Sequence, residues 1–398
     1  MAIVYIVGTY DTKGEEIAYA AERVREAGGQ PLIVDVSTAV PASAGVDVTA
    51  AEVASCHPGG AGRVLGLKDR GEAVSAMADA LTAYLSARTD IGAVLGLGGS
   101  GNTALVTRAM RELPVGTPKI MVSTVASGNV APYVGPTDLT MMYSVVDIAG
   151  LNAISRRVVG NAAHAAVGMA NHTVPRARTD RPGLAMTMFG VTTECVAQVR
   201  TELEQDYEVF CFHATGAGGQ SMEKLVDSSL VAGVIDVTTT EIADLLVGGV
   251  FAATDDRLGA IIRKRTPYVG SVGACDMVNF GAKDKVPERF ADRLLHVHNA
   301  QVTLMRTTPE ENHQIGRFIV ERLNRMEGPV RFLLPLQGVS AIDRQGQPFH
   351  DPQADQALFQ AIRDGWKPAP DRQLCELDAH INSQEFAAAL VRHFRDIT

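Results

Sequence analysis

The stretch Ile3-Val4-Tyr5-Ile6-Val7-Gly8-Thr9-Tyr10-Asp11-Thr12-Lys13-Gly14-Glu15 decides the fold class. Its first residues are apolar at successive positions, not alternate ones, which is the pattern of a strand covered on both faces. A turn of small and polar residues follows, and then a helical period. Ile17, Ala20, Ala21 and Val24 share one face, and Gly28-Gly29 stops the helix. The aliphatic run 31–36 is a second strand. The segment Ala185-Met186-Thr187-Met188-Phe189-Gly190-Val191-Thr192-Thr193-Glu194 repeats the arrangement, leading into a helix with Val196, Val199 and Leu203 and then a strand at 208–213. This reads as a degenerate repeat at domain scale, although any two openings of Rossmann type share these features.

Working outward, runs at 92–97, 119–125, 184–189, 233–237, 268–272 and 331–334 predict further strands, with helical patterns between them. Strand–helix alternation of this kind predicts parallel sheets with right-handed crossovers. The expected fold is α/β: two Rossmann-like domains, each a parallel sheet flanked by helices, with a ligand cleft between them. The boundary falls at the proline- and arginine-rich 172–182. The N-terminal domain is therefore expected over 1–175, a linker over 176–182 and the C-terminal domain over 183–398. Thr308-Pro309-Glu310-Glu311 combines a capping hydroxyl, a first-turn proline and a third-position carboxylate, which starts a helix running to about Met326. A last helix is expected near 385–394.

Composition narrows the partners. The 398 residues carry 36 Lys+Arg against 45 Asp+Glu, a net charge of −9, with no basic block, which disfavours nucleic acid. No stretch approaches the ~20 apolar residues of a membrane helix, and residues 3–7 are too short for a secretory leader. The five cysteines (Cys56, Cys195, Cys211, Cys275, Cys375) are scattered without a CxxC pair. A reduced cytoplasmic protein is expected, with neither a zinc cluster nor a disulfide framework.

The chemistry is expected in the loops that follow the strands. Thr9, Asp11, Thr12, Lys13 and Gly14 follow the first; Gly98, Gly99, Ser100, Gly101, Asn102 and Thr103 the third; Ser127 and Gly128 the fourth. In the second half, Gly216, Ala217, Gly218 and Gly219, then Thr238, Thr239 and Thr240, then Cys275-Asp276 take equivalent places. In an open parallel sheet such loops gather at the carboxyl edge, where ligands bind. Glycines let a ligand approach the backbone, and helix-initial amides and hydroxyls suit an anionic group. Lys13 is a candidate counter-charge, or a surface ion-pair partner. Asp11 is a candidate for metal or ribose. Asp276, Glu241 and His213 are candidate acids or bases; for Glu241 a helix-dipole role competes, and Thr240 is a candidate cap. No P-loop, GxGxxG fingerprint or GxSxG elbow is present. His296 and His298 alternate on an expected strand, with His213, Asp276 or Glu194 as a possible third ligand, but no metal site is assigned. Cys275 reads as a buried structural thiol, His57 as a loop residue.

The string from Gly8 to Glu15, the glycine loop from Gly98 to Thr103, Asp236-Val237-Thr238-Thr239-Thr240-Glu241, Gly273-Ala274-Cys275-Asp276-Met277-Val278-Asn279-Phe280-Gly281 and Pro335-Leu336-Gln337-Gly338-Val339-Ser340 together resemble an uncharacterised microbial family. That family is related to the N-terminal part of a plant tobamovirus-resistance protein, an inhibitor of viral RNA replication. The resemblance spans about residues 1–395. It implies a two-domain α/β architecture, ATP near the interdomain cleft, and a homodimer. The plant relative's further TIM-barrel-like domain is not expected in a sequence ending at Thr398, and the antiviral role is not carried over. Three readings follow. One is an ATP-binding protein whose loops hold the polyphosphate with Lys13 and Mg²⁺. Another is a metabolic enzyme for a small phosphorylated or carboxylated substrate, alongside a separate TIM-barrel partner, with acid–base work by Asp276, Glu241 or His213. The third is a ligand-gated regulatory scaffold.

Overall fold

A computed structural model describes residues 2–39, 44–172, 174 and 181–398. The chain divides into two compact units, 1–176 and 177–398. Residues 176–180 of the expected linker lie outside the described residues.

The first unit runs β1 (Ile3–Gly8), α1 (Tyr10–Glu26), β2 (Gln30–Asp35), α2 (Ala50–Ser55), α3 (Gly62–Leu65), α4 (Arg70–Ser86), β3 (Ile91–Gly98), α5 (Ser100–Glu112), β4 (Lys119–Ser123), α6 (Ala131–Val134), β5 (Thr140–Tyr143) and α7 (Ala153–Asn171). Its sheet is parallel throughout, in the order β2-β1-β3-β4-β5. The unbroken apolarity of β1 is explained by its neighbours. Val4 and Ile6 point to the face covered by Ile17, Ala20 and Val24 of α1 and by Val159 and Ala163 of α7. Tyr5 and Val7 point to the opposite face, against Met77 and Leu81 of α4 and Leu105 of α5. Successive strand residues alternate sides, so a strand sandwiched by helices needs an apolar residue at every position. Each such side chain contributes about 1.5–3 kcal/mol of burial.

The second unit runs β6 (Gly183–Met188), α8 (Thr193–Leu203), β7 (Glu208–His213), α9 (Ala217–Asp227), β8 (Gly233–Thr238), α10 (Thr240–Val247), α11 (Gly259–Lys264), β9 (Tyr268–Gly273), β10 (Met277–Phe280), β11 (Leu295–Asn299), β12 (Val302–Arg306), α12 (Pro309–Leu323), β13 (Val330–Pro335), α13 (Pro352–Gly365), β14 (Arg372–Leu377) and α14 (Gln384–Arg395). Its six-stranded sheet is also parallel, in the order β14-β13-β9-β8-β6-β7. Val196 and Val199 of α8 and Phe386, Leu390 and Phe394 of α14 cover one face. Met222 of α9, Ile319 of α12 and Phe359 of α13 cover the other. Both units are thus α/β with parallel sheets flanked by helices.

The differences from expectation are local. β4 ends at Ser123, short of residue 125, because the Ser123 hydroxyl accepts from the Val125 amide (3.1 Å) and turns the chain. β14 was not anticipated; it is an edge strand, and its Arg372 and Glu376 break the apolar run that marks a covered strand. The antiparallel sheet β10-β12-β11 was anticipated only as one strand carrying His296 and His298. The α12 start is as read: the Thr308 hydroxyl accepts from Glu311 N (3.2 Å) and Glu311 returns a bond to Thr308 N (2.8 Å).

Candidate functional site

In the first sheet, β1 connects outward to β2 on one side while β3 connects to β4 on the other. Between β1 and β3 the chain reverses its direction of travel, which opens a crevice at the carboxyl edge. A cavity of about 610 Å³ lies there, within the size range of small-molecule sites. Eight of the residues expected to bind a cofactor line it: Thr9, Asp11, Thr12 and Lys13 from the first loop, and Gly99, Ser100, Gly101 and Asn102 from the third.

The two helix starts at this cavity differ. At α1 the amides are already bonded. Tyr10 N donates to the Asp35 carboxylate (3.1 Å), Asp11 N to the Ser37 hydroxyl (3.1 Å), and Thr12 N and Lys13 N to Thr9 O (3.2 and 2.9 Å). Asp35 and Ser37 are fully buried, so protein oxygens take the place that a phosphate occupies in dinucleotide folds. At α5 the situation is reversed. Thr103 N donates to Gly99 O (2.9 Å), but among the described residues nothing accepts from the amides of Ser100, Gly101 or Asn102. These are the orphan donors of a helix start. Asn102 is 8 % exposed; its Nδ2 donates to Leu97 O, which fixes the amide, and its Oδ1 has no partner. A Cβ added at Gly101 would meet nothing within 4 Å.

The remaining expected residues of this unit sit around the cavity rather than on it. Gly98 ends β3. The Thr103 hydroxyl is held between Gly99 O (2.8 Å) and Ser123 Oγ (2.6 Å). Gly14 packs under the Tyr10 ring, and Ser127 and Gly128 lie in an exposed turn after β4. The Lys13 ammonium donates to Ile148 O. Sequence reading missed the four other polar lining residues: Thr38, Lys68, Arg70 and Asp147. The signal available for two of them was the pair of cations in Leu67-Lys68-Asp69-Arg70 just ahead of a helical pattern.

The second unit uses its loops inwardly. Glu241 is fully buried, and its Oε1 accepts from Gly216 N (2.6 Å) and Gly219 N (3.0 Å). Its Oε2 accepts from Arg257 Nε (3.1 Å). Arg257, 2 % exposed, also holds Glu223 (3.0 Å) and Asp236 (2.9 Å). Burial raises the pKa of Glu223 and Glu241, with Arg257 opposing it. Burial also works against the Arg257 charge, but Asp236, Glu241 and Glu223 outweigh it and keep the guanidinium cationic. Glu241 therefore sits in the first turn of α10, as the dipole reading had it, and is also a member of a buried ion network that sequence did not show. Gly219 is where a side chain would collide with it: a Cβ would stand 2.0 Å from Glu241 Oε2. Ala217 N donates to Thr215 O (2.9 Å), and Gly218 packs on His213 backbone.

Thr238, Thr239 and Thr240 are fully buried. Thr238 Oγ1 pairs with Thr192 Oγ1 (2.8 Å), Thr239 Oγ1 donates to Ser271 O (3.1 Å), and Thr240 Oγ1 to Met277 O (3.5 Å). Thr240 does not cap α10, whose cap position is Thr239. Asp276 is also fully buried; Ser340 Oγ donates to its Oδ2 (2.8 Å), and its Oδ1 has no partner. Burial and the neighbouring Asp343 carboxylate push its pKa up. His213 stacks on Phe189 (5.0 Å between ring centres), and burial lowers its pKa. Cys275 is buried with its thiol 3.2 Å from Thr239 Oγ1, and burial pushes it up to about 12. Among the described residues no group of three His, Cys, Asp or Glu is placed to hold a metal ion, and no helix is long and apolar enough to cross a membrane.

The parallel sheet and the switch-point crevice define, for the first unit, an open α/β protein with a candidate ligand site at the carboxyl edge of its sheet. The chain matches the description "Uncharacterised protein family (UPF0261)", its N-terminal domain over residues 2–175 and its C-terminal domain over 181–398, and it belongs to that family. It is 52 % identical over 397 residues to the UPF0261 protein RA0729 of Rhizobium meliloti, covering 100 % of this chain and 99 % of that one. A UPF0261 protein of Clostridium tetani is 43 % identical, covering 98 % and 97 %. The ToMV resistance protein Tm-1(GCR237) of Solanum lycopersicum is 42 % identical over 422 residues, covering 99 % of this chain and 56 % of the tomato protein.

Proposed function

We propose that the first unit binds a nucleotide polyphosphate, with ATP and its Mg²⁺ as the leading candidate, in the crevice between β1 and β3. The observation that carries this reading is the α5 start: the amides of Ser100, Gly101 and Asn102, unaccepted among the described residues, at one cavity. Oriented N–H groups at a helix N-terminus attract anionic oxygen. Asp11 and Asp147 on the same lining suit the hydrated cation. The polyphosphate rests on α5 and not on α1, whose amides Asp35 and Ser37 already take. In the second unit the 216–219 amides are held by Glu241, so the reading is confined to the first unit's loops. The enzyme reading has one supporting observation, the free Asp276 oxygen.

Calorimetric titration of the whole chain with Mg-ATP tests the proposal. Saturable heat with a matching rise in melting temperature is expected; flat heat and an unmoved melt at millimolar nucleotide reject it. Ser100→Pro sharpens the test, because proline is tolerated at the first helical position and deletes one unaccepted N–H. Gly99 before it is extended (φ −82°, ψ −168°), as a residue preceding proline should be. ATP affinity is expected to fall about tenfold, the worth of a hydrogen bond to a charged group, with the ligand-free melt unchanged.

A further inference from the structure

The cavity carries cations that Lys13 does not account for. The Lys13 ammonium already has the Ile148 carbonyl as acceptor. Lys68 and Arg70 line the same cavity from the entry to α4, are exposed, and among the described residues have neither an ion-pair nor a hydrogen-bond partner through their side chains. Asp69 between them is the cap residue of α4 (φ −76°, ψ 125°), and both of its neighbours line the cavity. The Asp69 carboxylate caps α4, accepting from Glu72 N (2.8 Å). The other two carboxylates on the lining, Asp11 and Asp147, are the pair assigned above to the hydrated cation. The cavity receives two cations without an ion-pair partner among the described residues, from a short segment, on the same lining as the unaccepted α5 amides.

Unpaired cations confronting unaccepted amides form an anion clamp whose two jaws come from different elements. From this placement we infer that Lys68 and Arg70 set the specificity of the site for the number of phosphates, gripping the phosphates farthest from the sugar while the α5 amides hold the nearer ones. The inference rests on the nucleotide reading and adds to it a preference: triphosphate over diphosphate, and both over monophosphate. Lys and Arg are suited to the two tasks, the ammonium as a compact charge and the guanidinium as a bidentate fork on a terminal phosphate.

The experiment titrates the full-length protein and its Lys68→Ala/Arg70→Ala variant with ATP, ADP, AMP and inorganic tripolyphosphate. Because both residues are exposed and unpartnered, the variant should melt as the parent does. The expected result is an ATP and tripolyphosphate affinity about 10- to 100-fold lower in the variant, AMP affinity within about threefold of the parent, and recovery of the ranking in Lys68→Arg/Arg70→Lys. A parent that binds ATP while the variant binds all four ligands as before overturns the inference and leaves the nucleotide reading intact. Equal losses for AMP and ATP also overturn it, since the pair would then hold the common part of the ligand. A parent that binds tripolyphosphate through Lys68 and Arg70 but no nucleotide overturns the adenosine part of the reading and supports the clamp. Binding of none of the four overturns both.

Discussion

The loops at 98–103 and 216–221 are nearly interchangeable as strings of Gly, Ser and Ala, yet the structure puts them to opposite uses. Each follows a parallel strand and opens a helix. In the first unit the amides of Ser100, Gly101 and Asn102 have no protein acceptor and adjoin a cavity. In the second, Gly216 and Gly219 donate to the buried Glu241 carboxylate, which stands where an anionic ligand would. Gly101 has open space where a Cβ would go, whereas Gly219 has Glu241 at 2.0 Å. One set of glycines leaves room for something from outside; the other makes room for the protein's own carboxylate. A glycine-rich helix start is therefore evidence of a bound anion, but that anion can be an internal side chain.

The largest test of this contrast is Glu241→Ala. It strips two amides of their acceptor and leaves Arg257 with only Glu223 and Asp236. Removing one member of a buried ion network costs about 3–5 kcal/mol, to be read from the urea midpoint of the second unit's transition. Nucleotide affinity in the first unit should not change; if it falls as much as stability does, the division of labour between the loops is wrong.

A smaller effect separates the glycines themselves. Gly219→Ala drives a methyl into the Glu241 carboxylate and should cost about 1–3 kcal/mol, as overpacking does. Gly101→Ala should stay within about 0.5 kcal/mol and act only on ligand binding. Equal destabilisation by the two substitutions would erase the distinction drawn from their surroundings.

A further effect is in pH dependence. Asp244 is fully buried and accepts from Phe251 N (2.8 Å) and Asn279 N (2.8 Å), and burial pushes its pKa from the usual 3.8 to about 7. Between those values the folded chain binds more protons than the unfolded one, so stability is fully present below about pH 3.8 and declines as pH rises through 7. Asp244→Asn should flatten that decline in the second unit's melt. An identical pH profile for parent and variant would show that Asp244 is ionised at no such cost.

Much of the fold was legible in the residues. Val4 and Ile6 on one side of β1 and Tyr5 and Val7 on the other meet two helix layers, and unbroken apolarity is the direct imprint of that. The α12 capping box was legible because Thr308, Pro309 and Glu311 lie within one turn. Edge strand β14 was not, since none of its residues is fully covered and Arg372 and Glu376 put charges into it. At the candidate site, Thr9–Lys13 and Gly99–Asn102 were legible as loops after strands. Lys68, Arg70 and Asp147 were not, because they come from other connections and reach the cavity only through folding. The burial of Glu241 against Arg257 was not legible, because a carboxylate in a helix's first turn looks alike in sequence whether it faces water or Arg257.

What the sequence alone determined is periodicity: which residues must be covered on two faces, where helices start, and so the class of sheet. Those properties depend on neighbours a few positions apart. Whether an amide keeps its hydrogen bond for a ligand or gives it to an internal carboxylate depends on residues 20 or more positions away, such as Glu241 from Gly219 or Asp35 from Tyr10. Only the tertiary structure decides it, because every buried donor must be satisfied and the acceptor is brought up by packing, not by adjacency.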